Sequence, residues 1–274
     1  MVNEPTSLKA ERIQELLSEE LGQALEREQF FLVYQPTFDL QSNAFAGVEA
    51  LLRWRTEARG VVKPDLFLPE LERSGQIVAV GKWALETACQ QGAAWHAKGY
   101  RFAVSVNISV KQLELSTFVN DVRGALSSAR YDPALLVLEF SQESLLGGGE
   151  STLNTINQLK SFGVRIAVDD FTPGISPLST LREIPIDIVK LDRKFIDGIA
   201  ISPQNVELVQ SLVQLGKSLN LLIIASGIED VDQRRHLKYE EINFGQGFLF
   251  SAPHEAEEID QLLEDFAIFS GRPL

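Results

Sequence analysis

The sequence is poor in the residues that build disulfide-bonded scaffolds and soft-metal sites. Among 274 residues there is one cysteine, Cys89, and there are three histidines. A single cysteine excludes an intramolecular disulfide framework and a zinc site made of thiolates, and it agrees with a reducing compartment. His96, His236 and His254 are scattered outside the candidate strands, so neither a Ser-His-Asp triad nor a histidine-based metal site is expected. Any chemistry therefore has to use carboxylates, amides, lysine and arginine.

Long apolar runs and clusters of basic residues are also missing. No apolar run approaches the roughly 20 residues that span a bilayer, and the first residues, MVNEPTSLKAERIQ, lack the apolar segment of a secretory signal. The formal net charge is −13, which repels polyanions at long range. We therefore expect a cytoplasmic protein that has no membrane segment and no extended nucleic acid as a partner.

The first segment, residues 1–28, predicts a helix that precedes the main domain. Apolar residues recur at helical spacing from about Thr6 to Arg27, behind a start signal at Thr6 and Ser7. This amphipathic helix could pack on the flank of the main domain, or it could couple the domain to another module or to a second copy. The sequence leaves both alternatives open.

Short apolar runs then alternate with longer amphipathic stretches over residues 29–270. The eight candidate strands are FFLVYQPTF, AFAGVEALLRW, RFAVSVNIS, LLVLEF, RIAVDDF, IDIVKLD, LNLLIIASGI and INFGQGFLF. Apolar strands that alternate with helices are typical of a parallel sheet, and eight repeats favour closure into an α/β fold of the (β/α)8 barrel type. Only DLQSNA separates the first two runs, which is too short for a crossover helix. The first strand is therefore predicted to be antiparallel.

Polar side chains stand at the C-terminal ends of nearly all these strands, where β/α barrels carry their working groups. The set is Glu49, Arg53, Asn107, Glu139, Asp169, Asp170, Lys190, Asp192, Ser226 and Gln246. Any one of the carboxylates could instead cap a helix or organise a loop. Several acids at one mouth repel each other unless cations neutralise them, which indicates hard divalent ions such as Mg²⁺, Mn²⁺ or Ca²⁺. The adjacent Asp169 and Asp170 could bridge two ions for displacement at phosphorus, with an enolase-like metal barrel as the alternative.

The order and spacing of these residues resemble the EAL domain family, which comprises cyclic di-GMP phosphodiesterases and their inactive receptor relatives. The matching motifs are Tyr34-Gln35-Pro36, Glu49-Ala50-Leu51-Leu52-Arg53-Trp54, Asn107, Glu139, Asp169-Asp170-Phe171, Lys190-Leu191-Asp192 and Gln246-Gly247-Phe248. The resemblance covers about Phe30 to Pro253. It implies a barrel with an antiparallel first strand and a groove for cyclic di-GMP across the mouth.

The resemblance also implies a role for each matching residue. The first metal site would comprise Glu49, Asn107, Glu139 and Asp169, and the second would be reached by Asp169 and Asp170. The ions would be Mg²⁺ or Mn²⁺, with Ca²⁺ as a substitute that gives no activity. The groove would be lined by Gln35, Leu51, Arg53, Lys190, Asp192 and Gln246. Catalysis would use Lys190, which steadies the attacking water and the phosphate, together with Asp170.

Three departures from the family pattern concentrate on the second metal ion and its loop. The family's Ala-Glu-Gly-Val-Glu reads Ala225-Ser226-Gly227-Ile228-Glu229 here, so Ser226 replaces a metal ligand and candidate general base. The family's Glu-Ile-Thr-Glu ends in the neutral Gln142, and its Phe-Gly-Thr-Gly-Tyr-Ser-Ser loop becomes FTPGISP from Phe171. A serine hydroxyl is neither anionic nor basic near neutral pH, so Ser226 should bind a hard cation poorly.

These departures favour a degenerate EAL domain as the function. Such a domain binds cyclic di-GMP with as few as one divalent ion, hydrolyses it little or not at all, and signals to a protein partner or as a homodimer. One alternative is an active metal-dependent phosphodiesterase that produces linear pGpG. The other is a protein-interaction module that no longer binds the nucleotide.

Overall fold

The computed structural model describes residues 18–172, 183–199 and 201–270. The strands in these ranges are β1 (Phe30–Asp39), β2 (Phe45–Thr56), β3 (Gly60–Val62), β4 (Ala103–Ile108), β5 (Leu136–Ser141), β6 (Arg165–Phe171), β7 (Ile188–Leu191), β8 (Leu222–Ser226) and β9 (Phe244–Gln246). The connection from β6 to β7 passes through residues 173–182, so most of the FTPGISP loop lies outside the described residues.

Besides a short 3₁₀ helix at Pro133–Leu135, α-helices cover these strands in the described ranges. They are α1 (residues 18–24), α2 (Pro64–Ser74), α3 (Ile77–Ala97), α4 (Val110–Leu113), α5 (Phe118–Ala129), α6 (Gln142–Gly147), α7 (Gly149–Ser161), α8 (Arg193–Ile196), α9 (Pro203–Leu219), α10 (Val231–Tyr239) and α11 (Ala256–Ser270). None of the helices found in this part of the chain combines the length and the apolar character needed to cross a lipid bilayer.

The sheet closes into an eight-stranded barrel, as the sequence predicts. The strand order around the ring is β1-β9-β8-β7-β6-β5-β4-β2, and β1 pairs with β2 to close it. β1 runs antiparallel to both of its neighbours, whereas the pairs from β2 through β4 to β9 are parallel. The eight predicted strands and the antiparallel first strand are thus confirmed. A further strand, β3, is not among the predicted ones; it has three residues, lies outside the ring and pairs with the end of β2.

A side chain fixes the tight connection between β1 and β2. The Asp39 carboxylate oxygen Oδ1 accepts hydrogen bonds from the backbone N–H of Gln41 at 2.9 Å and of Ser42 at 2.7 Å, and from the Ser42 hydroxyl at 2.9 Å. Asn43 then adopts a left-handed backbone conformation with φ 60°, which asparagine tolerates better than most residues. The reversal therefore needs only a few residues, and β1 is held antiparallel to β2.

The first helix ends earlier than the sequence predicts. Residues 25–28 form a turn instead of continuing the helix to Arg27. Glu28 has a left-handed φ of 54°, and the N–H of Gln29 bonds the carbonyl of Ala24 at 2.9 Å, so the chain turns directly into β1. Leu21 and Ala24 pack in a buried cluster with Trp54. The described part of the helix thus lies on the barrel flank, while its predicted start and the boundary at residue 28 stay predictions.

A buried apolar layer inside the barrel supports the residues at the mouth. It consists of Val137, Ala167, Ile188 and Ile224. Successive side chains of a strand point to opposite faces, so residues two positions apart share a face. Each member of the layer precedes a strand-end residue by two positions; those residues are Glu139, Asp169, Lys190 and Ser226. The alternation therefore places the four polar side chains on the inner face, one step closer to the mouth.

Candidate functional site

Three carboxylates converge at the C-terminal end of the barrel. Oxygen atoms of Glu49 on β2, Glu139 on β5 and Asp169 on β6 all lie within 4.8 Å of one another. Glu49 and Glu139 are buried, and Asp169 is half-buried. Within the described ranges this is the only group of three or more acidic, histidine or cysteine side chains with this spacing. We call Glu49, Glu139 and Asp169 the acid cluster.

The ammonium group of Lys190 lies among these carboxylates. Its Nζ atom is 3.0 Å from an oxygen of Glu49 and 3.5 Å from an oxygen of Asp169, and it donates a short hydrogen bond to Glu139. The Lys190 side chain is 3% exposed, so these contacts are shielded from water. Opposite charges at such distances in a buried site interact strongly. One lysine therefore partly neutralises three acids.

The pKa values in the cluster reflect this mixture of burial and charge. Burial raises the pKa of Glu139 to about 8, where the attraction of Lys190 is outweighed by burial and by the neighbouring carboxylates. Burial also acts to raise the pKa of Glu49, but Lys190 and the hydrogen bonds from Asn107 and Gln246 lower it overall. For Lys190, burial acts to lower the pKa and the surrounding carboxylates raise it well above its ordinary value. Lys190 thus stays protonated, and ionised Glu139 needs a further cation.

The acid cluster has the chemistry that a hard divalent cation requires. Its donors are carboxylate oxygens, which Mg²⁺, Mn²⁺ and Ca²⁺ prefer. Three carboxylates and one ammonium leave an excess of negative charge when all are ionised. Asn107 lies beside the cluster, where its side-chain N–H bonds Glu49 at 2.7 Å, so its amide oxygen is a further candidate ligand. Asp170 does not belong to the cluster.

Two glutamines extend the network towards β1. The side-chain nitrogen of Gln246 on β9 donates to Glu49 at 2.8 Å and to the amide oxygen of Gln35 on β1 at 3.0 Å. Gln35 in turn donates to the backbone oxygen of Ser251 at 3.3 Å. These bonds hold both amides at the mouth and orient the Glu49 carboxylate.

A cavity of about 340 Å³ opens above the cluster. Its wall contains the predicted residues Gln35, Glu49, Leu51, Arg53, Asp169, Asp170, Lys190, Ser226 and Gln246. It also contains Arg193, Gly227, Glu229, Gly247, Phe248 and Pro253. Arg53 is half-buried, and one of its guanidinium nitrogens bonds the carbonyl of Leu52 at 2.8 Å. Arg193 and Pro253 are not among the predicted site residues, although Arg193 comes directly after the Lys190-Leu191-Asp192 motif.

The domain model of the EAL family, described as "EAL domain", matches residues 18–253. The chain belongs to the EAL domain family. Similar proteins include the bifunctional diguanylate cyclase/cyclic di-GMP phosphodiesterase MucR of Pseudomonas aeruginosa, which is 37% identical over 244 residues that cover 89% of this chain and 36% of MucR. The cyclic di-GMP phosphodiesterase NbdA of the same species is 34% identical over 94% of this chain and 33% of NbdA. The chain therefore spans about a third of the length of these relatives.

Solved EAL structures agree with the fold. The structure described as "PaMucR Phosphodiesterase, c-di-GMP complex" has a TM-score of 0.86 and 37% identity, and the match covers 89% of this chain and 99% of that one. The EAL enzyme Bd1971 in its cGMP-bound form has a TM-score of 0.87 and 29% identity over 93% of this chain and 71% of that one. The architecture of this chain is thus that of known EAL domains.

Asp192, which the sequence predicts for ligand binding, makes structural contacts at the start of α8. The Asp192 carboxylate accepts the backbone N–H of Lys194 at 2.9 Å and so caps the start of α8, and its other oxygen is 2.7 Å from Lys194 Nζ. It does not contribute to the wall of the cavity. Asp170 does contribute to the wall of the cavity, and its backbone has a left-handed φ of 51°. Partial desolvation raises the pKa of Asp170, and the charges of Asp169 and Asp192 add to this effect.

The end of β8 carries no carboxylate. Ser226 lies in the cavity wall, and its hydroxyl oxygen is buried without a hydrogen-bond partner among the residues that the structure describes. The nearest acid along the chain in the same wall, Glu229, is held by Arg193, whose two terminal nitrogens lie 2.7 and 2.8 Å from its oxygens. In this structure Glu229 is therefore paired with Arg193.

The neutral Gln142 holds the beginning of the loop after β6. Its amide oxygen accepts the backbone N–H of Thr172 at 2.8 Å. An amide oxygen can accept this bond as a carboxylate does, but it adds no negative charge. The side chain at position 142 thus contacts the first part of the loop after β6 without adding charge.

Proposed function

We propose that this EAL domain binds cyclic di-GMP across the barrel mouth and acts as a cytoplasmic receptor or signalling module with lost or strongly reduced hydrolysis. The cavity wall supports binding because it combines Arg53, whose planar charged fork suits phosphate, with the polar amides Gln35 and Gln246. The relatives named as cyclic di-GMP phosphodiesterases and the similar structure of a c-di-GMP complex support this choice of nucleotide.

The observation that carries the loss of hydrolysis is Ser226. Attack of water on a phosphodiester needs a base or a second cation near the nucleophile. The hydroxyl of Ser226 supplies neither, because it is not anionic and not basic near neutral pH. The acid cluster gathers three carboxylates within 4.8 Å of one another and does not include Asp170, so it suits one ion better than two.

We assign that ion to Mg²⁺ or Mn²⁺, with Ca²⁺ able to take its place without supporting turnover. Glu49, Glu139 and Asp169 would hold it, with the amide oxygen of Asn107 as a further ligand. A bound ion would neutralise phosphate charge and polarise the phosphoryl oxygens. Lys190 holds its proton and orients the carboxylates, while Leu51 lines the cavity wall. The bound state would then be signalled to a protein partner, or to a second copy of this chain, through α1 or the barrel surface.

An active phosphodiesterase that opens cyclic di-GMP to pGpG is the second candidate. The complete acid cluster and Lys190 favour it, as does Asp170, because its raised pKa makes it a better proton acceptor near neutral pH. For this function, Lys190 alone would have to position the attacking water, and Asp170 alone would have to deprotonate it.

Two measurements on the full chain separate the candidates. Calorimetric titration with cyclic di-GMP, with Mg²⁺, with Mn²⁺ and with a chelator, measures binding, while chromatography of the nucleotide measures pGpG. The receptor function predicts a saturable binding signal without appreciable product. Metal-dependent pGpG formation at a useful rate would refute the receptor function. An absence of binding in every condition would refute both nucleotide functions and leave the interaction module.

A further inference from the structure

Arg193 brings a solvent-accessible cation to the cavity wall. It is the first residue of α8 and lines the wall together with Asp170, Lys190 and Ser226. Its side chain is 51% exposed, in contrast to that of Lys190 at 3%. Because Lys190 is buried among three carboxylates, those carboxylates already balance its positive charge. The positive charge that an incoming anion meets on this side of the mouth is therefore that of Arg193.

The contacts of Arg193 are of a kind that a ligand can replace. The guanidinium lies 2.7 and 2.8 Å from the oxygens of Glu229, and its Nε atom is 3.3 Å from Asp197. Glu229 is 39% exposed and Asp197 is 48% exposed. Ion pairs this exposed contribute little free energy. Exchange of a carboxylate for a phosphate on the same guanidinium fork is thus energetically accessible.

The backbone at Gly227 lets Arg193 reach the end of β8. Gly227 has a left-handed φ of 79°, and a Cβ atom at this position would come within 2.7 Å of Arg193 Cγ. The aliphatic part of Arg193 therefore lies directly against the residue that follows Ser226. Since position 226 bears a small neutral side chain, no carboxylate there competes for the guanidinium.

The topology of the ring sets Arg193 opposite Arg53. Arg53 is on β2, and Arg193 follows β7 by two residues. From β2 to β7 the ring passes β1, β9 and β8 in one direction and β4, β5 and β6 in the other, so the two strands are diametrically opposed. Cyclic di-GMP carries two phosphodiester groups on opposite sides of its macrocycle. Two guanidinium groups on opposite sides of one cavity match that arrangement of charge.

We propose that Arg53 and Arg193 form a two-sided phosphate clamp, in which Arg193 leaves Glu229 and binds the phosphodiester on the β7 side of the mouth. The inference rests on the proposed function and deepens it, because the Arg193 guanidinium supplies positive charge beside Ser226, where the domain has no acid to hold a second ion. Glu229 acts as the competitor that holds Arg193 while the cavity has no ligand.

Four variants test the clamp by calorimetric titration with cyclic di-GMP. Arg193→Met should weaken binding roughly 10- to 100-fold, the loss expected for one charge-assisted hydrogen-bonded pair, and Arg53→Met should weaken it similarly. Glu229→Gln should tighten binding roughly two- to fivefold because it removes the weak competing pair. The matched control is Arg235→Met, since Arg235 is 70% exposed, pairs with Asp232 and lies outside the cavity wall. The affinity of the Arg235→Met variant for cyclic di-GMP should stay within about twofold of that of the original protein.

The sign of the Glu229→Gln effect separates ligand binding from a structural role. If Arg193 served only to hold the β8 loop through Glu229, both Arg193→Met and Glu229→Gln would weaken binding, and that outcome would overturn the clamp. An unchanged affinity of Arg193→Met, together with lost affinity of Arg53→Met, would also overturn it while leaving the proposed function intact. If the unmodified chain fails to bind cyclic di-GMP, the proposed function fails and the clamp falls with it.

Discussion

Replacement of Lys190 by methionine tests how the acid cluster is stabilised. The change keeps most of the aliphatic length of the side chain and removes the ammonium group. In the structure that group lies 3.0 Å from Glu49 and 3.5 Å from Asp169 and bonds Glu139. Without it, three carboxylates share a largely buried site with no cation.

The size of the effect follows from burial. Removal of one partner from a buried ion pair costs about 3–5 kcal/mol because the remaining charge is left uncompensated. For a domain of this size, about 3 kcal/mol corresponds to a fall of roughly 5–6 °C in Tm. Protonation of the cluster relieves the cost at low pH. The folded-state pKa of Glu139 is raised to about 8 from an ordinary value of 4.5. Its stabilising contribution is therefore present at acidic pH and is lost as the pH rises through that value.

Thermal unfolding of both proteins in a chelating buffer, followed by circular dichroism, measures the difference. The destabilisation by Lys190→Met should be smallest near pH 5 and largest above about pH 8. Millimolar Mg²⁺ or Mn²⁺ should restore part of the lost stability, since a bound cation stabilises the folded state by mass action. The control is Lys82→Met, because Lys82 is 50% exposed and its pair with Asp121 measures 2.7 Å. An exposed pair of this kind contributes at most about 1 kcal/mol.

Equal destabilisation by Lys190→Met and Lys82→Met would refute the reasoning. So would a loss of stability by Lys190→Met that grows as the pH falls, because protonated carboxyl groups need no counter-ion.

Three further predictions use other parts of the molecule. Ser226→Glu should raise metal-dependent pGpG formation if the missing acid is the main defect, as chromatography of the nucleotide would show; no change would instead assign the defect to the FTPGISP loop. Asp39→Ala should cost about 1 kcal/mol in urea unfolding near neutral pH because it removes the bonds to Gln41 and Ser42. Burial acts to raise the pKa of Asp39, but these bonds lower it overall. The stability difference between Asp39→Ala and the original protein should therefore vanish as the pH falls through that lowered pKa. A stability difference that persists in strong acid would contradict this prediction. Burial raises the pKa of the Cys89 thiol to about 12, so iodoacetamide should label Cys89 only after unfolding; fast labelling of the folded protein would be inconsistent with the packing of α3.

The strand-end residues show how much of the site the local sequence pattern predicts. Period-2 alternation along one strand identifies which side chains face inward, so Glu139 and Lys190 could be assigned to the mouth without coordinates. The short DLQSNA connection could be interpreted in the same way, because chain length alone forbids a crossover helix. The three-residue strand β3 could not be found, since its pairing with β2 and not its own residues defines it.

Asp192 and Arg193 show where such reasoning stops. Both follow the same strand, yet one caps α8 and the other lies in the cavity wall. The direction of each side chain depends on the first turn of α8, on the left-handed backbone of Gly227 and on the position of Glu229. None of these follows from the spacing of residues along a single strand.

The sequence by itself determined the barrel, its antiparallel first strand and the inventory of strand-end groups, Ser226 among them, because each depends on residues close together in the chain. Only the tertiary structure decided which groups meet. The contact between Lys190 and Glu49 joins residues 141 positions apart, and the pair of Arg193 with Glu229 joins two different crossover connections. Such contacts arise from closure of the ring and from side-chain packing across it, and these set the charge that a ligand meets at the mouth.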